Sequence, residues 1–194
     1  VLGIPYTHSG VLSSALAMDK AQARIIMANA GVPVAEGRVV TRAEAAKDHV
    51  LPRPYVLKPV AEGSSVGVFI VTEDHQHPPQ ELTRADWPHG ETLLAERYIP
   101  GMELNCAVMG DEALDVIEIE AATRFYDYEA KYAPGGSRHI LPARIKLNIY
   151  QKAQILALKA HRALGCRGIS RADFRFDNRE DGSGELFCLE VNTQ

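Results

Sequence analysis

The last two strand-like segments of the chain alternate polar and apolar side chains, as strands with one buried face do. The first segment places Arg171, Asp173 and Arg175 on its polar face. The second places Glu190 and Asn192 together on its polar face. The two segments therefore predict a hairpin that gathers acidic, amide and basic groups on one side.

The turn that joins these segments decides which polar side chains face each other. Asp181-Gly182 is the strongest two-residue hairpin signal between them. A turn centred there places Asp173 opposite Glu190 and Arg171 opposite Asn192, with Cβ atoms about 5 Å apart. We therefore expect two carboxylates to lie directly beside each other.

Two adjacent carboxylates repel each other unless something neutralises them. Oxygen ligands without His or Cys fit Mg²⁺ or Mn²⁺, and paired carboxylates can hold the metal ions that clamp a transferring phosphate. Asp173, Glu190 and Asn192 are thus candidate metal ligands. The alternative is a solvated face on which Asp173 is merely paired with Arg171 or Arg175.

A Gly- and Ser-rich loop follows the strand-like run that ends near Lys58. Residues 63–67 match G-x-S-x-G, the nucleophile elbow that would make Ser65 a hydrolase nucleophile. The context contradicts a hydrolase, because a strand-like run follows instead of a helix and the last histidine, His161, precedes the candidate aspartate. A hairpin tip with exposed amides and hydroxyls instead suits folding over phosphates, and Lys58 can add a fixed positive charge there. The sequence contains no P-loop or dinucleotide-binding glycine motif.

Short strands and a few helices must position these groups. An Ala-rich pattern that ends at Gly31 predicts one helix, or two in succession, within residues 14–30. Apolar runs between Pro and Gly turns predict antiparallel strands. The strands are 55–58, 66–72, 92–98, 103–109, 113–120, 168–177 and 185–192, with a helix at 149–164 and a long structured loop at 121–142. Helices segregated from mainly antiparallel strands indicate the α+β class.

Composition excludes several kinds of protein. The 194 residues carry 21 basic and 25 acidic side chains, a net charge of −4, without a basic cluster, so we expect no binding to nucleic acid or to a membrane surface. The three cysteines lack C-x-x-C spacing and lie in apolar stretches, which favours free thiols in a reducing compartment. No segment predicts a signal peptide or a membrane span, so we expect a cytoplasmic protein. The chain starts at Val1 and stops in a strand-like run, as a piece of a longer protein would.

The order of several short motifs points to one family. Two of these motifs are particular to it, the hexapeptide E-G-S-S-V-G at 62–67 and the segment F-Y-D-Y-E-A-K-Y at 125–132. The others are Met18-Asp19-Lys20, Val56-Leu57-Lys58-Pro59, Glu96-Arg97-Tyr98-Ile99-Pro100-Gly101-Met102-Glu103, Arg171-Ala172-Asp173 and Leu189-Glu190-Val191-Asn192-Thr193. Over essentially its whole length the chain resembles D-alanine–D-alanine ligases of the ATP-grasp superfamily.

This resemblance implies an ATP-grasp fold, in which two α+β subdomains with mainly antiparallel sheets enclose ATP. Residues 1–12 would be the tail of a preceding domain, 13–100 the central subdomain and 101–194 a truncated C-terminal subdomain. By position, Lys20 and Lys58 would hold the phosphates, and Ser64 and Ser65 would close over them. Glu96, Arg97 and Ile99 would form the hinge segment at adenine, Phe125 and Leu189 would form the walls of the adenine slot, and Glu103 would bind the ribose hydroxyls. Lys131 and Tyr132 would close over the nucleotide.

The resemblance also implies a reaction. One D-alanine carboxylate attacks the γ-phosphate of ATP, which gives an acyl phosphate and releases ADP. The amine of a second D-alanine then attacks the acyl phosphate and displaces inorganic phosphate, which yields D-alanyl-D-alanine for peptidoglycan precursors. Arg171, Ser64 and Tyr132 would be catalytic, and Asp173, Glu190 and Asn192 would hold Mg²⁺ or Mn²⁺. No protein nucleophile is needed, so catalysis would rest on positioning and charge neutralisation.

Two other functions compete with this one. Another ATP-grasp ligase would join a different acid and amine, although the segment at 125–132 speaks against it. A nucleotide-binding module without catalysis is hard to reconcile with Arg171, Asp173, Glu190 and Asn192 all being present. The partners expected are ATP and D-alanine, with a homodimer as the full-length protein. We expect the 194 residues alone to bind ATP weakly and to ligate poorly, because the segments that complete the amino-acid site in the family are absent.

Overall fold

A computed structural model describes residues 3–121 and 137–193. Four α-helices lie in these ranges: α1 Val11–Met18, α2 Lys20–Asn29, α3 Arg42–Lys47 and α4 Leu147–Ala163. The nine strands are β1 Gly37–Thr41, β2 Tyr55–Pro59, β3 Phe69–Val71, β4 Thr92–Arg97, β5 Met102–Met109, β6 Glu112–Ala121, β7 Ser137–Ile140, β8 Ile169–Phe176 and β9 Leu186–Asn192. A 3₁₀-helix spans Gln80–Thr83.

The strands form two sheets in which every neighbouring pair is antiparallel. One sheet has the order β1-β4-β2-β3 and the other the order β7-β6-β5-β8-β9. The chain passes from the first sheet to the second through residues 98–101. The predicted α+β class with mainly antiparallel sheets is thereby confirmed.

Local sequence signals explain where α2 and α3 begin. Asp19 interrupts the Ala-rich stretch between α1 and α2, and its side chain accepts a hydrogen bond from the Gln22 amide at 3.0 Å. Thr41 and Glu44 form a reciprocal capping box at the start of α3, a signal that the sequence analysis overlooked. One prediction was wrong in part, because β7 occupies four residues of the segment 121–142 that was expected to be a loop throughout.

The helices that come first in the chain pack with the second sheet. Ala17 of α1 and Met27 of α2 share a buried cluster with Leu104 of β5, Ala157 of α4 and Phe174 of β8. The first sheet has a separate core, which it shares with α3. We call β1–β4 with α3 the first lobe, and β5–β9 with α1, α2 and α4 the second lobe. The subdomain boundaries given above stay a prediction.

Gly101 lies at the crossing between the lobes and has no room for a side chain. Its φ is +100°, and a Cβ would lie 2.1 Å from the carbonyl oxygen of Phe176. Gly110 also has a positive φ, +62°, but has nothing within 4 Å. We expect Gly101→Ala to lower the free energy of unfolding by about 2 kcal/mol or more, and Gly110→Ala by about 1 kcal/mol. Urea denaturation of the two variants tests this, and equal losses would contradict it.

A buried histidine links α4 to β8. Nδ1 of His161 lies 2.7 Å from the hydroxyl of Ser170, and both residues are buried. Burial lowers the pKa of His161 below its ordinary value of 6.5; Asp111 opposes this shift and Arg162 adds to it. The folded state therefore binds this proton less readily than the unfolded state, and stability is lost as pH falls below about 6.5.

The variant His161→Asn tests that pH dependence, because its amide can replace Nδ1 at Ser170 without titrating. The measurement is the urea midpoint at pH about 7.5 and about 5.5. We expect the wild-type midpoint to fall more steeply with acid than the midpoint of H161N. Parallel losses in the two proteins would show that His161 is not responsible.

In the part of the chain that the structure describes, no helix is long and apolar enough to cross a membrane.

Candidate functional site

Polar side chains of both lobes converge on one cleft between the sheets. From the first lobe the cleft receives the strand residue Lys58 and the tip at 62–66, and from the second lobe Asp173 and Glu190. Most of the predicted site residues line it: Lys20, Lys58, Ser64, Ser65, Glu96, Arg97, Ile99, Glu103, Asp173, Leu189 and Glu190. Asn192 lines an adjoining cleft that also contains Lys20, Ser64 and Glu190. The predicted residues Phe125, Lys131 and Tyr132 lie outside the described residues.

The register of the last hairpin places the two acidic residues side by side. Asp173 pairs with Glu190 and Arg171 with Asn192, as the sequence predicted. The predicted two-residue turn was wrong, because a longer loop joins the strands, with the Asp177 amide bonded to the Glu185 carbonyl at 3.1 Å. A β-bulge at Leu189 of β9, opposite the step from Asp173 to Phe174, compensates for this difference in the loop.

The carboxylate of Asp173 accepts hydrogen bonds at both oxygens. Arg171 donates from Nε to Oδ1 at 2.7 Å and from its terminal NH2 to Oδ2 at 3.0 Å. Asn105 of β5 donates to Oδ1 at 2.9 Å, and Asn192 donates to Oδ2 at 3.1 Å. The pairing with Arg171, considered above as an alternative to a metal site, is present, but on a face where Asp173 is 7% exposed rather than solvated.

Asn105 is a site residue that the sequence analysis missed. It lies opposite Asp173 in the pairing of β5 with β8, and it is itself buried. Buried amides are normally hydrogen-bonded, so Asn105 fixes one oxygen of the carboxylate in place. The signal available was its position inside an apolar strand beside the strand that carries Asp173.

The donor set on this face suits a small divalent cation. Asp173 and Glu190 offer carboxylates and Asn192 an amide, which is the hard oxygen chemistry of Mg²⁺. The described ranges contain no group of three or more His, Cys, Asp or Glu residues that could hold a metal on their own. Two carboxylates and one amide leave coordination positions for water and phosphate oxygens, which is how Mg²⁺ is usually bound.

Lys58 does not stand alone in the first lobe. Its Nζ lies 2.5 Å from Oε2 of Glu96, and Nε of Arg24 lies 3.3 Å from Oε1 of the same carboxylate. The side chains of Lys58 and Glu96 are 10% and 7% exposed. The predicted contact of Glu96 with adenine stays a prediction, and what the structure shows is that both of its oxygens face cations.

Lys20 enters the cleft from the start of α2. Its Nζ donates to the carbonyl oxygen of Glu62, in the tip, and its backbone amide donates to the carbonyl of Val60 at 3.0 Å. Burial lowers the pKa of Lys20, with Glu190 opposing that shift and Lys58 adding to it. Two amines from opposite lobes therefore approach the same part of the cleft, where an anion would relieve their repulsion.

The tip after β2 has a backbone conformation that side chains rarely adopt. Ser64 and Ser65 have φ values of 53° and 60°, and Gly67 has 68°. Such conformations in residues other than glycine cost of order 1 kcal/mol each and are concentrated at functional sites. A turn and then the short strand β3 follow, rather than a helix, so the nucleophile elbow is excluded by the geometry as well.

Arg175 fixes the segment that joins the two lobes. Its Nε donates to the carbonyl oxygen of Ile99 at 3.0 Å and its NH2 donates to that of Gly101 at 2.8 Å. Its guanidinium also lies 3.7 Å from Glu103. The hinge segment thus has a defined position over the apolar part of the cleft, which Val56, Val68, Ile70 and Leu189 line.

Comparison with known sequences gives a consistent set of relatives. A family model described as D-ala D-ala ligase C-terminus matches residues 26–194. Over its whole length the chain is 75% identical to a D-alanine–D-alanine ligase of Xanthobacter autotrophicus and 71% identical to one of Azorhizobium caulinodans. The chain spans 63% of the length of each of these two curated relatives.

Solved structures agree with the sequence relatives. The VanG D-Ala:D-Ser ligase of Enterococcus faecalis superposes with a TM-score of 0.76 at 36% identity, over 98% of this chain and 56% of that one. A D-alanine–D-alanine ligase of Bacillus anthracis superposes with a TM-score of 0.74 at 30% identity, over 99% of this chain and 62% of that one.

These comparisons confirm the fold and the resemblance that the motifs predicted. The similarity to solved ligases confirms the ATP-grasp fold with its two mainly antiparallel sheets. The family model covers all but the first 25 residues, including every strand of both sheets. The chain therefore belongs to the D-alanine–D-alanine ligase family.

Proposed function

We propose that this chain forms the ATP and metal site of an ATP-dependent D-alanine–D-alanine ligase that makes D-alanyl-D-alanine for peptidoglycan precursors. One observation carries the proposal: Lys20 and Lys58 approach one cleft from opposite lobes, and the carboxylates of Asp173 and Glu190 line the same cleft. Cations and metal-type carboxylates that line one cleft together are what a metal-bound polyphosphate requires.

The phosphates would lie where the two lysines and the tip meet. Lys20 is held by the tip through Glu62, and Lys58 is held by Glu96. Positive charge in a largely buried cleft interacts with phosphate more strongly than it would in water. The hydroxyl-rich tip at Ser64 and Ser65 would then cover the phosphates and exclude water, which protects an acyl phosphate from hydrolysis.

Mg²⁺ or Mn²⁺, when bound, would neutralise the charge of the transferred phosphoryl group. Asp173, Glu190 and Asn192 would hold it. The task of Arg171 follows from its position, since its side chain is 47% exposed and already reaches the carboxylate face. A guanidinium there can pair with the phosphoryl oxygens and with the tetrahedral centre formed when the second amine attacks.

Base and ribose would occupy the other end of the cleft. Glu103 lies beside Arg175 at the start of β5, close to the segment that joins the lobes. Its carboxylate can accept hydrogen bonds from ribose hydroxyls. The hinge backbone at Arg97 and Ile99 can meet adenine in the apolar slot that Leu189 closes. The roles given to Phe125, Lys131 and Tyr132 belong to the same proposal and rest on the sequence motif.

The assembly and location of the protein are part of the proposal as well. We propose a homodimer of the full-length protein, acting in the cytoplasm on ATP and two D-alanines. Support for the dimer comes from the family. A net charge of −4 without a basic cluster is the reason to propose no nucleic-acid or membrane-surface partner.

The test is ADP release by the full-length protein with a panel of substrate pairs. D-alanine alone, D-alanine with D-lactate, D-alanine with D-serine, and L-alanine are the informative arms. The proposal predicts release that depends on D-alanine and on a divalent cation, with D-alanyl-D-alanine as the product. ADP release that depends on a different acid and amine would instead support another ATP-grasp ligase. Binding of ATP without any release of ADP would support a binding module.

A further inference from the structure

Arg24, which lies outside the predicted site, makes several polar contacts beside the cleft. It is on α2, one helical turn after Lys20 and on the same face of the helix. One terminal NH group donates to the carbonyl oxygen of Gly37 at 2.9 Å, the other donates to that of Ala35, and Nε lies 3.3 Å from Glu96. Arg24 thus joins a helix of the second lobe to the sheet of the first lobe.

Arg24 and Lys58 share the carboxylate of Glu96. Arg24 faces Oε1 and Lys58 faces Oε2, and the three side chains are 16%, 10% and 7% exposed in the order Arg24, Lys58, Glu96. A buried carboxylate that loses its cation is costly. If Lys58 turned towards a phosphate in the absence of Arg24, Glu96 would have no ion-pair partner among the described residues.

Arg24 is placed so that it can be the ion-pair partner of Glu96 when Lys58 is not. Within the described ranges, Nε of Arg24 is the one buried side-chain nitrogen or oxygen that makes no hydrogen bond, although the Glu96 carboxylate is at ion-pair distance. Its N–H can therefore donate to Oε1 if the Glu96 carboxylate turns when Lys58 moves to a phosphate. Glu96 would then have a cation beside it both before and after Lys58 moves.

The carbonyl contacts of Arg24 fix its helix as well. Gly37 lies against β4 so closely that a Cβ would be 2.4 Å from the carbonyl oxygen of Ala95 and 2.9 Å from Cγ of Glu96. The Gly37 carbonyl that Arg24 holds therefore belongs to a tightly packed edge of the first sheet, and the Ala35 carbonyl lies two residues before that strand. Because Lys20 is one turn earlier on α2, this anchorage also sets where Lys20 enters the cleft.

We infer that Arg24 is a positioning residue for both phosphate-binding lysines. It keeps Glu96 neutralised when Lys58 turns to the phosphates, and it holds α2 so that Lys20 meets them. This inference rests on the proposed nucleotide site, and it requires no contact between Arg24 and the nucleotide. A variant without Arg24 should therefore lose more affinity for a nucleotide the more phosphates that nucleotide carries.

Calorimetric titration of the full-length protein with adenosine and with ADP tests the inference. Arg24→Gln is expected to weaken ADP binding about tenfold or more while adenosine binding changes by less than about twofold. Arg24→Lys keeps a cation beside Glu96 but cannot hold both carbonyl groups, so it should lose less ADP affinity than R24Q. Arg84→Gln is the matched control, because Arg84 pairs with Asp86 on the exposed surface, and its affinities should equal those of the wild type.

Each outcome decides the question. Equal losses for adenosine and ADP in R24Q, or no loss for either, would overturn the inference while the wild-type binding still supports the proposed function. A wild-type protein that binds no ADP would overturn both. Should R24Q melt too low to titrate, R24K decides: a loss confined to ADP supports the inference, and unchanged ADP affinity overturns it.

Discussion

Replacing Asp173 by asparagine is expected to lower D-alanine-dependent ADP release at least about 100-fold in the full-length protein. The substitution keeps the size of the side chain but removes the charge that would face Glu190 and a divalent cation. It also turns one oxygen into a donor that points at another donor, because Arg171, Asn105 and Asn192 all donate to this carboxylate. We expect ADP affinity to change much less, since Lys20 and Lys58 are untouched.

Asp111→Asn is the matched control for D173N. Asp111 pairs with Arg162 in a surface contact, and its side chain is 92% exposed. Turnover and ADP affinity of D111N should both match the wild type. If D173N retained wild-type turnover, Asp173 would not be a metal ligand and the assignment of this face to phosphoryl transfer would be wrong.

Replacing Glu96 by glutamine is expected to have the largest effect on stability. Glu96 is the shared partner of Lys58 and Arg24, and all three side chains are largely buried. Removing one charged partner from a buried network leaves charges without compensation and costs about 3–5 kcal/mol of the free energy of unfolding. Urea denaturation of the purified variant gives that value directly.

Glu91→Gln provides the comparison in the same lobe. Glu91 pairs with Arg42 at 3.0 Å, but its side chain is 69% exposed. A surface pair of this kind contributes about 1 kcal/mol or less, so E91Q should unfold close to the wild-type denaturant concentration. A similar small loss in E96Q would mean that the Lys58–Glu96–Arg24 contacts do not stabilise the lobe.

Much of this fold could be predicted because short-range signals agree with long-range pairing. The alternation around Asp173 and Glu190 predicted which faces are buried. The predicted pairing of these two residues came from the wrong turn, and it holds because a bulge offsets the longer loop. The loop that replaces the expected turn is built around Asp177, whose carboxylate accepts from Arg179 and from the Ser183 amide. No local rule foretells that a bulge at Leu189, opposite residues 173–174, makes up the difference.

The roles of the positioning side chains could not be predicted from the sequence, for a different reason. Arg24, Asn105 and Arg175 act across elements that are far apart in sequence, and their partners become neighbours only after the sheets have formed. Helical periodicity gave no reason to separate Arg24 from an ordinary surface arginine. The same holds for the packing of α1 and α2 with the second lobe, which depends on the tertiary fold and not on the helices themselves.

The proposed position of Lys20 and Lys58 beside the phosphates of ATP can be tested with a biotin-linked acyl phosphate of ATP. A nearby lysine amine takes the acyl group from this reagent as an amide while ATP leaves. Burial lowers the pKa of Lys20, which increases the share of its reactive, uncharged form. The full-length protein is labelled, digested and mapped by mass spectrometry, with and without excess ATP.

We expect the label on Lys20 or Lys58, and we expect excess ATP to prevent the labelling. Lys47, Lys152 and Lys159, which do not line the cleft, should carry little label in either condition. Labelling spread over these three residues and unaffected by ATP, with Lys20 and Lys58 unmodified, would contradict the claim that this cleft binds the nucleotide.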